Sequence, residues 1–109
     1  DVPPGTDRRT ALADWMTTPG NPFFAKNVAN RVWFHLLGKG IVDPVDDFRD
    51  SNPSCNDDLL DALAADFAKS GFDLKKLVAT VMKSRTYQLS ATPNETNADD
   101  AKYFSHAQT

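Results

Sequence analysis

The sequence predicts an all-α protein, a compact irregular bundle of about four main helices. Two observations carry this prediction: four segments have apolar residues at helical intervals, and residues that cap or stop helices stand at the ends of those segments. The length of 109 residues suits one domain with a single core. We expect a linker over residues 1–6, a helical domain over residues 7–90, and a polar loop or the start of a further helix over residues 91–109.

The first helix is expected from about Asp7 to Met16, with Thr6 as its candidate N-cap. Its apolar side is formed by Ala11, Leu12, Trp15 and Met16. The succession Thr18-Pro19-Gly20 then predicts a turn, because neighbouring proline and glycine interrupt a helix.

The second helix is the most strongly specified element. Asn21 is its expected N-cap, Pro22 takes the first helical position, where a missing N–H costs nothing, and Gly38 is expected to end the helix in a left-handed conformation. Its apolar stripe consists of Ala25, Val28, Ala29, Val32 and Leu36, widened by Phe24, Trp33 and Leu37. A helix that is apolar over more than half of its circumference is buried on most sides, so we expect the domain to be built around it.

A loop over residues 41–53 follows and is expected to pack across the core. Residues 41–49 have no helical period, and Asp43-Pro44 imposes an extended or turning backbone, because the residue before proline avoids the α region. The side chains expected to hold this loop down are Ile41, Val42, Val45 and Phe48.

The third helix is expected to begin at Ser54, where Asp57 three residues later forms a near-capping box. Its buried face is predicted to contain Leu59, Leu60, Leu63, Ala64 and Phe67. Lys69-Ser70-Gly71 is a stop signal, and Phe72 is placed for the apolar contact that accompanies a Schellman ending.

The fourth helix is expected to start after its cap, Asp73. Its apolar positions are Leu74, Leu77, Val78, Val81 and Met82, and its opposite face carries Lys75, Lys76 and Lys83. Residues 85–89 then read as the end of the helix and an exit strand or turn.

Composition argues against several functional classes. With 12 basic and 15 acidic residues the net charge is -3, so the composition gives no indication of general phosphate binding. The turn Ser70-Gly71-Phe72-Asp73 joins two helices as in a helix-turn-helix, but the second helix lacks a cluster that reads base edges, and we expect no nucleic acid partner.

No apolar run is long enough to span a bilayer. The polar start shows no signal peptide, and a first residue of Asp rather than Met indicates a fragment.

Cys55 is the only cysteine, which excludes an internal disulfide, a Cys-rich zinc site and an attached c-type haem. We therefore expect Cys55 to be structural and the chain to carry no cofactor. A metal site is not expected either, because neither a His pair at helical spacing nor the spacing of an EF-hand is present.

Three groups of residues could carry chemistry. Asn27, Arg31 and His35 form a polar row on one face of the second helix, which is either a water-facing strip or the wall of a site. The loop carboxylates Asp46 and Asp47, beside Arg49, suit acid and base work on a glycoside, calcium binding, or a network of ion pairs that locks the loop.

The third group is Arg85 and Tyr87, where a buried guanidinium could tie loop carbonyls and carboxylates together. Trp15 and Trp33 could stack on sugars if exposed, but their helical spacing favours core packing for both.

Nearly the whole chain resembles the planctomycete-type DUF1553 family, also called PSD1. The resemblance rests on these runs of residues: Arg8-Arg9-Thr10-Ala11-Leu12-Ala13-Asp14-Trp15, Asn21-Pro22-Phe23-Phe24-Ala25, Asn30-Arg31-Val32-Trp33, residues 40–49, Asn52-Pro53, residues 59–63, residues 84–90 and Asn94-Glu95-Thr96-Asn97. The resemblance implies a part of a large exported protein that also contains a DUF1549 region and often a planctomycete-type cytochrome c domain. It implies no established activity and no catalytic residues.

Two functions remain open from the sequence. The first is a non-catalytic structural or interaction domain whose polar patch docks a neighbouring domain of the same polypeptide, DUF1549-like or cytochrome c-like. The second is a carbohydrate-binding or hydrolysing role, with Arg31, His35, Asp46 and Asp47 lining a cleft. Burial of the arginines against the loop carboxylates would favour the first, and an open pocket lined by those carboxylates would favour the second.

Overall fold

The computed structural model describes residues 2–18 and 21–106, and it confirms the all-α prediction. The helices are α1 (Arg8–Met16), α2 (Pro22–Leu37), α3 (Asp57–Lys69) and α4 (Leu74–Met82). The described ranges contain no strand. Pro19 and Gly20 of the predicted turn, and the last three positions of the predicted C-terminal segment, lie outside the described residues.

Helix α2 is the centre of the fold, as predicted. The Asn21 side chain accepts the N–H of Phe23 at 3.0 Å, and Gly38 ends the helix with φ +88°. Helices α3 and α4 both pack against α2 and also against each other. The core contains Ala25, Ala29, Trp33, Leu37, Ile41, Val42, Leu60, Leu63, Ala64, Phe67, Leu77, Val81 and Phe104.

Two helix caps lie later in the chain than the sequence predicts. Asp7, not Thr6, caps α1 by accepting the N–H of Arg9 at 3.0 Å. Asn56, not Ser54, caps α3 by accepting the N–H of Leu59 at 3.0 Å, while the Ser54 hydroxyl donates to the Asp57 carboxylate. In both cases a carboxylate or amide oxygen stands nearer to the first free N–H groups of the helix.

The predicted Schellman ending of α3 is confirmed. Gly71 adopts φ +77°, and the N–H of Phe72 reaches back to the carbonyl of Phe67 at 3.0 Å. The Phe72 ring meets the rings of Phe67 and Phe24 edge to face, each at 5.3 Å between centroids. The turn therefore joins α3 to the central helix as well as ending it.

Helix α1 lies outside the core, which corrects the prediction that its apolar side is buried. Leu12, Trp15 and Met16 are 54%, 60% and 40% exposed, and no residue of α1 is buried. Helices α3 and α4 pack against α2, while Phe24 and Val28 of its apolar stripe stay half-buried on the side that faces α1. With α1 outside the core, the molecule is elongated, 63 × 31 × 21 Å. Similarly, α4 buries Leu77 and Val81 but leaves Leu74 and Met82 exposed.

The segment after α4 contributes to the core without forming a helix. From Lys83 to His106 the backbone forms turns and bends only. Phe104 is nevertheless buried, and its ring meets Trp33 edge to face at 5.3 Å. The Lys39 ammonium donates to the carbonyl of Ala101 and ties the same segment to the end of α2. Within the described residues no helix is long and apolar enough to cross a membrane.

Candidate functional site

Asn30, on the buried side of α2, holds the 41–53 loop in place. Its side chain is fully buried, with its Nδ2 donating to the carbonyls of Val42 at 2.9 Å and Val45 at 3.0 Å. Its Oδ1 accepts the N–H of Val42 at 2.9 Å. One side chain thus satisfies three backbone groups that would otherwise be buried without partners.

The close approach of this loop to α2 requires glycine at position 40. A Cβ atom built there would lie 2.3 Å from the Val42 carbonyl oxygen and 3.1 Å from both polar atoms of the Asn30 amide. The first distance is impossible for a real side chain, so only glycine lets the chain turn back directly after α2. Neither Asn30 nor Gly40 was predicted from the sequence as a residue that holds the loop. The available signal was an amide directly after Ala29 in an otherwise apolar stripe.

Asn52 organises the interior of the same loop. Its Nδ2 donates to the carbonyls of Asp43 at 3.2 Å and Asp47 at 2.9 Å. The N–H of Cys55 donates to the carbonyl of Ile41 at 2.9 Å and closes the two ends of the loop on each other. The peptide bond between Asp43 and Pro44 is cis. The packed loop predicted from the sequence is therefore present, and asparagine amides fix its shape.

Arg31 and Asp46 meet as an ion pair at the surface. The guanidinium donates to the Asp46 carboxylate, and the two side chains are 48% and 65% exposed. This is the contact between the polar row and the loop that the sequence analysis anticipated. Because both partners are in water, it stabilises the loop by only about 0 to 1 kcal/mol.

Asp47 is engaged by its neighbour in the loop. Arg49 donates to both carboxylate oxygens, at 2.7 and 2.8 Å. This hydrogen bonding from Arg49 lowers the pKa of Asp47 and raises the pKa of Arg49. A carboxyl group held ionised in this way is a poor general acid, which the glycosidase hypothesis would require of one member of the pair.

The remaining predicted residues are spread over the surface. His35 is exposed and its ring contacts Phe34 edge to face at 5.3 Å. Asn27 lies two turns before it, and its side-chain amide forms no hydrogen bond with any described residue. The expectation that Arg85 is buried and ties carboxylates together is not met: Arg85 is exposed and pairs with no described carboxylate. Tyr87 is also exposed.

Among the larger cavities formed by the described residues, none is lined by more than one member of the predicted cluster. The loop carboxylates are paired at the surface, and in the described part of the chain no group of three or more His, Cys, Asp or Glu side chains is close enough to hold a metal ion. Cys55 lines a small cavity of about 190 Å³ under Trp33, and burial raises the pKa of its thiol. A thiol with a raised pKa is a weak nucleophile, in keeping with a structural role.

A groove with a mainly apolar lining lies between α1 and the start of α2. This groove has a volume of about 430 Å³, within the range of ligand and side-chain binding clefts. Its lining comprises Trp15, Met16, Asn21, Phe23, Phe24, Asn27 and Val28. Trp15 was expected in the core, so the sequence analysis did not foresee this groove.

Asn21 fixes the geometry of the groove. Its side-chain oxygen caps α2 through Phe23, and its Nδ2 donates to the carbonyl of Trp15, near the end of α1, at 3.2 Å. The backbone N–H of Asn21 also donates to the carbonyl of Thr18 at 2.9 Å. One buried side chain thereby links the end of α1 to the beginning of α2, and it holds the walls of the groove at a defined separation.

Comparison with known proteins identifies one family. A family model described as "PSD1: Protein of unknown function (DUF1553)" matches residues 8–109, which is nearly the whole chain. No curated protein and no solved structure matches the chain. The match agrees with the resemblance seen in the sequence and extends over all four helices, the clamped loop and the C-terminal segment: this chain belongs to the PSD1 (DUF1553) family.

Proposed function

We propose that this domain is a non-catalytic interaction module of a larger exported protein, and that the groove between α1 and α2 docks a neighbouring domain of the same polypeptide. The neighbour would be a DUF1549-like or a cytochrome c-like domain. The observation that carries the proposal is the exposure of large apolar side chains around the groove. We call this surface the docking face and define it by Leu12, Trp15, Met16 and Phe23.

The docking face differs from the scattered apolar residues that every protein surface contains. Phe23 is 65% exposed, and it lines the same groove as Trp15 and Met16. Contiguous exposed apolar residues are a feature of interaction sites, whereas single ones need no explanation. Tryptophan, phenylalanine and methionine are also the residue types enriched at protein interfaces.

The arginines of the polar cluster are paired at the surface and are not buried against the loop carboxylates, so the burial that would have favoured a structural role is not observed. Arg31 and Arg49 are each paired with a loop carboxylate, and the buried contacts to the loop come from Asn30. The support for a non-catalytic role comes from the pairing of Asp46 and Asp47 and from the clamp by Asn30, whereas Asp50 and Asp57 line an open cavity of about 330 Å³ beside the loop.

A binding experiment with the candidate neighbours tests the proposal. The DUF1549-like and cytochrome c-like domains are added to the isotope-labelled 109-residue chain, and the shifts of its amide signals are followed by NMR. We expect the perturbed signals to centre on α1 and the start of α2. Perturbation confined to the 46–49 loop, or no perturbation by either domain, would refute docking of these domains through this face.

A matched pair of variants makes this test specific. Leu12 on α1 and Leu74 on α4 are each 54% exposed, so replacing either with serine removes the same amount of exposed apolar side chain. We expect Leu12→Ser to weaken binding of the neighbouring domain by about tenfold, which corresponds to about 1.4 kcal/mol. Leu74→Ser should leave the affinity unchanged.

Carbohydrate binding is a second candidate, and one observation favours it. Trp15 is exposed and lines the same groove as Asn27, whose amide has no hydrogen-bond partner among the described residues; a flat aromatic ring next to a hydrogen-bonding side chain is a combination that sugars can use. Titration of the chain with a panel of soluble polysaccharides, followed by Trp15 fluorescence, tests this candidate. Binding that survives Trp15→Ala, measured by isothermal titration calorimetry, would place any sugar site elsewhere.

A further inference from the structure

The docking face carries positive charge at one end. Arg8 and Arg9 precede Leu12 by four and three residues, and Trp15 and Met16 follow it by three and four, so all five positions share one side of α1. Asp14 lies on the opposite side of the helix. The face is therefore apolar and cationic in a chain whose net charge is -3.

These two arginines remain available to a partner. Arg8 forms no ion pair with any described residue. Arg9 approaches Asp7 only to 3.9 Å, with its own side chain 94% exposed. By contrast, Arg31 and Arg49 each make a close ion pair with a carboxylate of the loop.

We infer that the partner segment is an acidic amphipathic stretch of polypeptide, whose apolar side chains enter the groove and whose carboxylates pair with Arg8 and Arg9. This inference rests on the proposed docking function and specifies its partner. Apolar anchors in a groove supply the affinity of such contacts, and complementary charge at the edge sets partner choice and register.

A second copy of the chain fits this face poorly. A twofold contact brings the same surface of both molecules together, so it would place Arg8 and Arg9 close to the same residues of the other copy. Like charges at such short range oppose association.

A membrane surface also fits the face less well than a polypeptide. The face is concave, and a flat bilayer would leave a groove of about 430 Å³ largely unfilled. The amide of Asn27 lines this groove and has no hydrogen-bond partner among the described residues. Burying it against hydrocarbon would leave its donors and acceptor unsatisfied, whereas a peptide backbone can satisfy them.

The test uses two synthetic amphipathic helical peptides with identical leucine and phenylalanine anchors. One carries glutamate and the other lysine at the flanking positions. Binding is followed through Trp15 fluorescence, because Trp33 is only 3% exposed and reports little of the surface. We expect the glutamate peptide to bind about tenfold more tightly than the lysine peptide at low salt, and the difference to shrink as salt is raised.

Charge reversal gives the decisive comparison. The double variant Arg8→Glu/Arg9→Glu should reverse the preference, so that the lysine peptide binds more tightly. Lys75→Glu/Lys76→Glu, which changes the net charge by the same amount on exposed positions of α4, should leave the preference for the glutamate peptide intact. Equal binding of both peptides, or an unchanged preference after reversal at Arg8 and Arg9, would overturn the inference.

Other outcomes separate this inference from the proposed function. If the neighbouring domains bind through the docking face but the glutamate peptide does not, the acidic partner is wrong and the docking function stands. If the glutamate peptide binds at the docking face and neither neighbouring domain does, the inference of an acidic amphipathic partner is supported. The assignment of the DUF1549-like and cytochrome c-like domains as partners is then wrong. A blue shift of Trp15 with phosphatidylglycerol vesicles but not with the peptide, or dimers in sedimentation that Trp15→Ser abolishes, would overturn the inference in favour of a membrane or a second copy.

Discussion

Asn30 and Arg31 are adjacent on α2, and both contact the 41–53 loop with very different energetic consequences. Arg31 contributes a surface ion pair with Asp46, in which both side chains keep much of their hydration. Asn30 makes three hydrogen bonds inside the core, where an unsatisfied backbone group costs about 1 to 3 kcal/mol. The buried amide, and not the guanidinium, therefore decides whether the loop stays on the core.

Replacing Asn30 with alanine should lower the free energy of unfolding by about 2 to 4 kcal/mol, because the N–H of Val42 and the carbonyls of Val42 and Val45 lose their partner. Urea denaturation followed by circular dichroism measures this change. Arg31→Ala should cost about 0 to 1 kcal/mol in the same assay.

Asn27→Ala is the control on the same helix, since it removes an amide that has no partner among the described residues. Its effect should stay within about 0.5 kcal/mol. Asn30→Asp is informative as well: it keeps the acceptor for Val42 but sets a carboxylate against two carbonyl oxygens, so it should be at least as damaging as alanine. A stable Asn30→Asp variant would contradict the role assigned to the amide.

At the scale of elements, the turn between α3 and α4 shows how a local signal also fixes tertiary packing. Gly71 provides the left-handed residue, and Phe72 follows it with φ +62° while its ring packs on Phe67 and Phe24. A phenylalanine at positive φ is unfavourable on its own, so the ring contacts must offset that cost. The contact with Phe24 also fixes how the α3–α4 pair sits on α2.

Phe72→Ala should therefore lower the free energy of unfolding by about 2 kcal/mol, less than for a fully buried ring because Phe72 is only half-buried. Phe23→Ala removes the same ring from a position that is 65% exposed and should change stability by less than about 0.5 kcal/mol. Thermal or urea unfolding of the two variants gives the comparison. Equal losses would show that the ring contacts of Phe72 do not support the fold.

The positions of the helices could be predicted from the sequence, because the signals that specify them are local. Apolar periodicity and caps predicted all four helices. The observed caps Asp7 and Asn56 lie only one and two residues after the predicted Thr6 and Ser54. Which side chains are buried could be predicted less well, because burial depends on contacts between distant parts of the chain. Asn30 meets its partners 12 and 15 residues away, and no local pattern shows whether an amide on an apolar helix will find them. Trp15 was misplaced for the same reason, since periodicity shows that a helix has an apolar side but not what covers it.

For the molecule as a whole, two aromatic residues lie where the sequence did not predict them: Trp15 is exposed instead of buried, and Phe104 is part of the core. Trp15 belongs to a helix that projects from the core, whereas Phe104 enters the core from a segment whose composition is polar. Phe104 closes the fold by packing on Trp33 of the central helix. One ring of the C-terminal segment thus lies inside the structure, whereas Trp15 near the beginning of the chain stays exposed.

The turn that positions Phe104 is built around the Asp100 carboxylate, which predicts an acid-sensitive attachment. Asp100 accepts hydrogen bonds from the Ser105 hydroxyl and from the N–H groups of Tyr103, Lys102 and Ser105. These bonds, that of the Ser105 side chain first, lower the pKa of Asp100 well below its ordinary value of 3.8. A lowered pKa means that the ionised form stabilises the folded turn. That contribution is present above the ordinary value and is lost as the pH falls through the lowered one.

We therefore expect the Trp33 indole N–H signal, which senses the Phe104 ring, to keep its position from neutral pH to about pH 4 and to move below it as the segment loosens. Asp100→Asn should weaken the attachment already at neutral pH, because an amide is a poorer acceptor for four donors than a carboxylate, and it should remove this acid-dependent step. Asp99→Asn, one residue away, deletes the same charge without touching the turn and should preserve both the neutral signal and its acid transition. If Asp100→Asn retained the transition, another group would have to carry it, and the carboxylate would not be what holds Phe104 against the central helix.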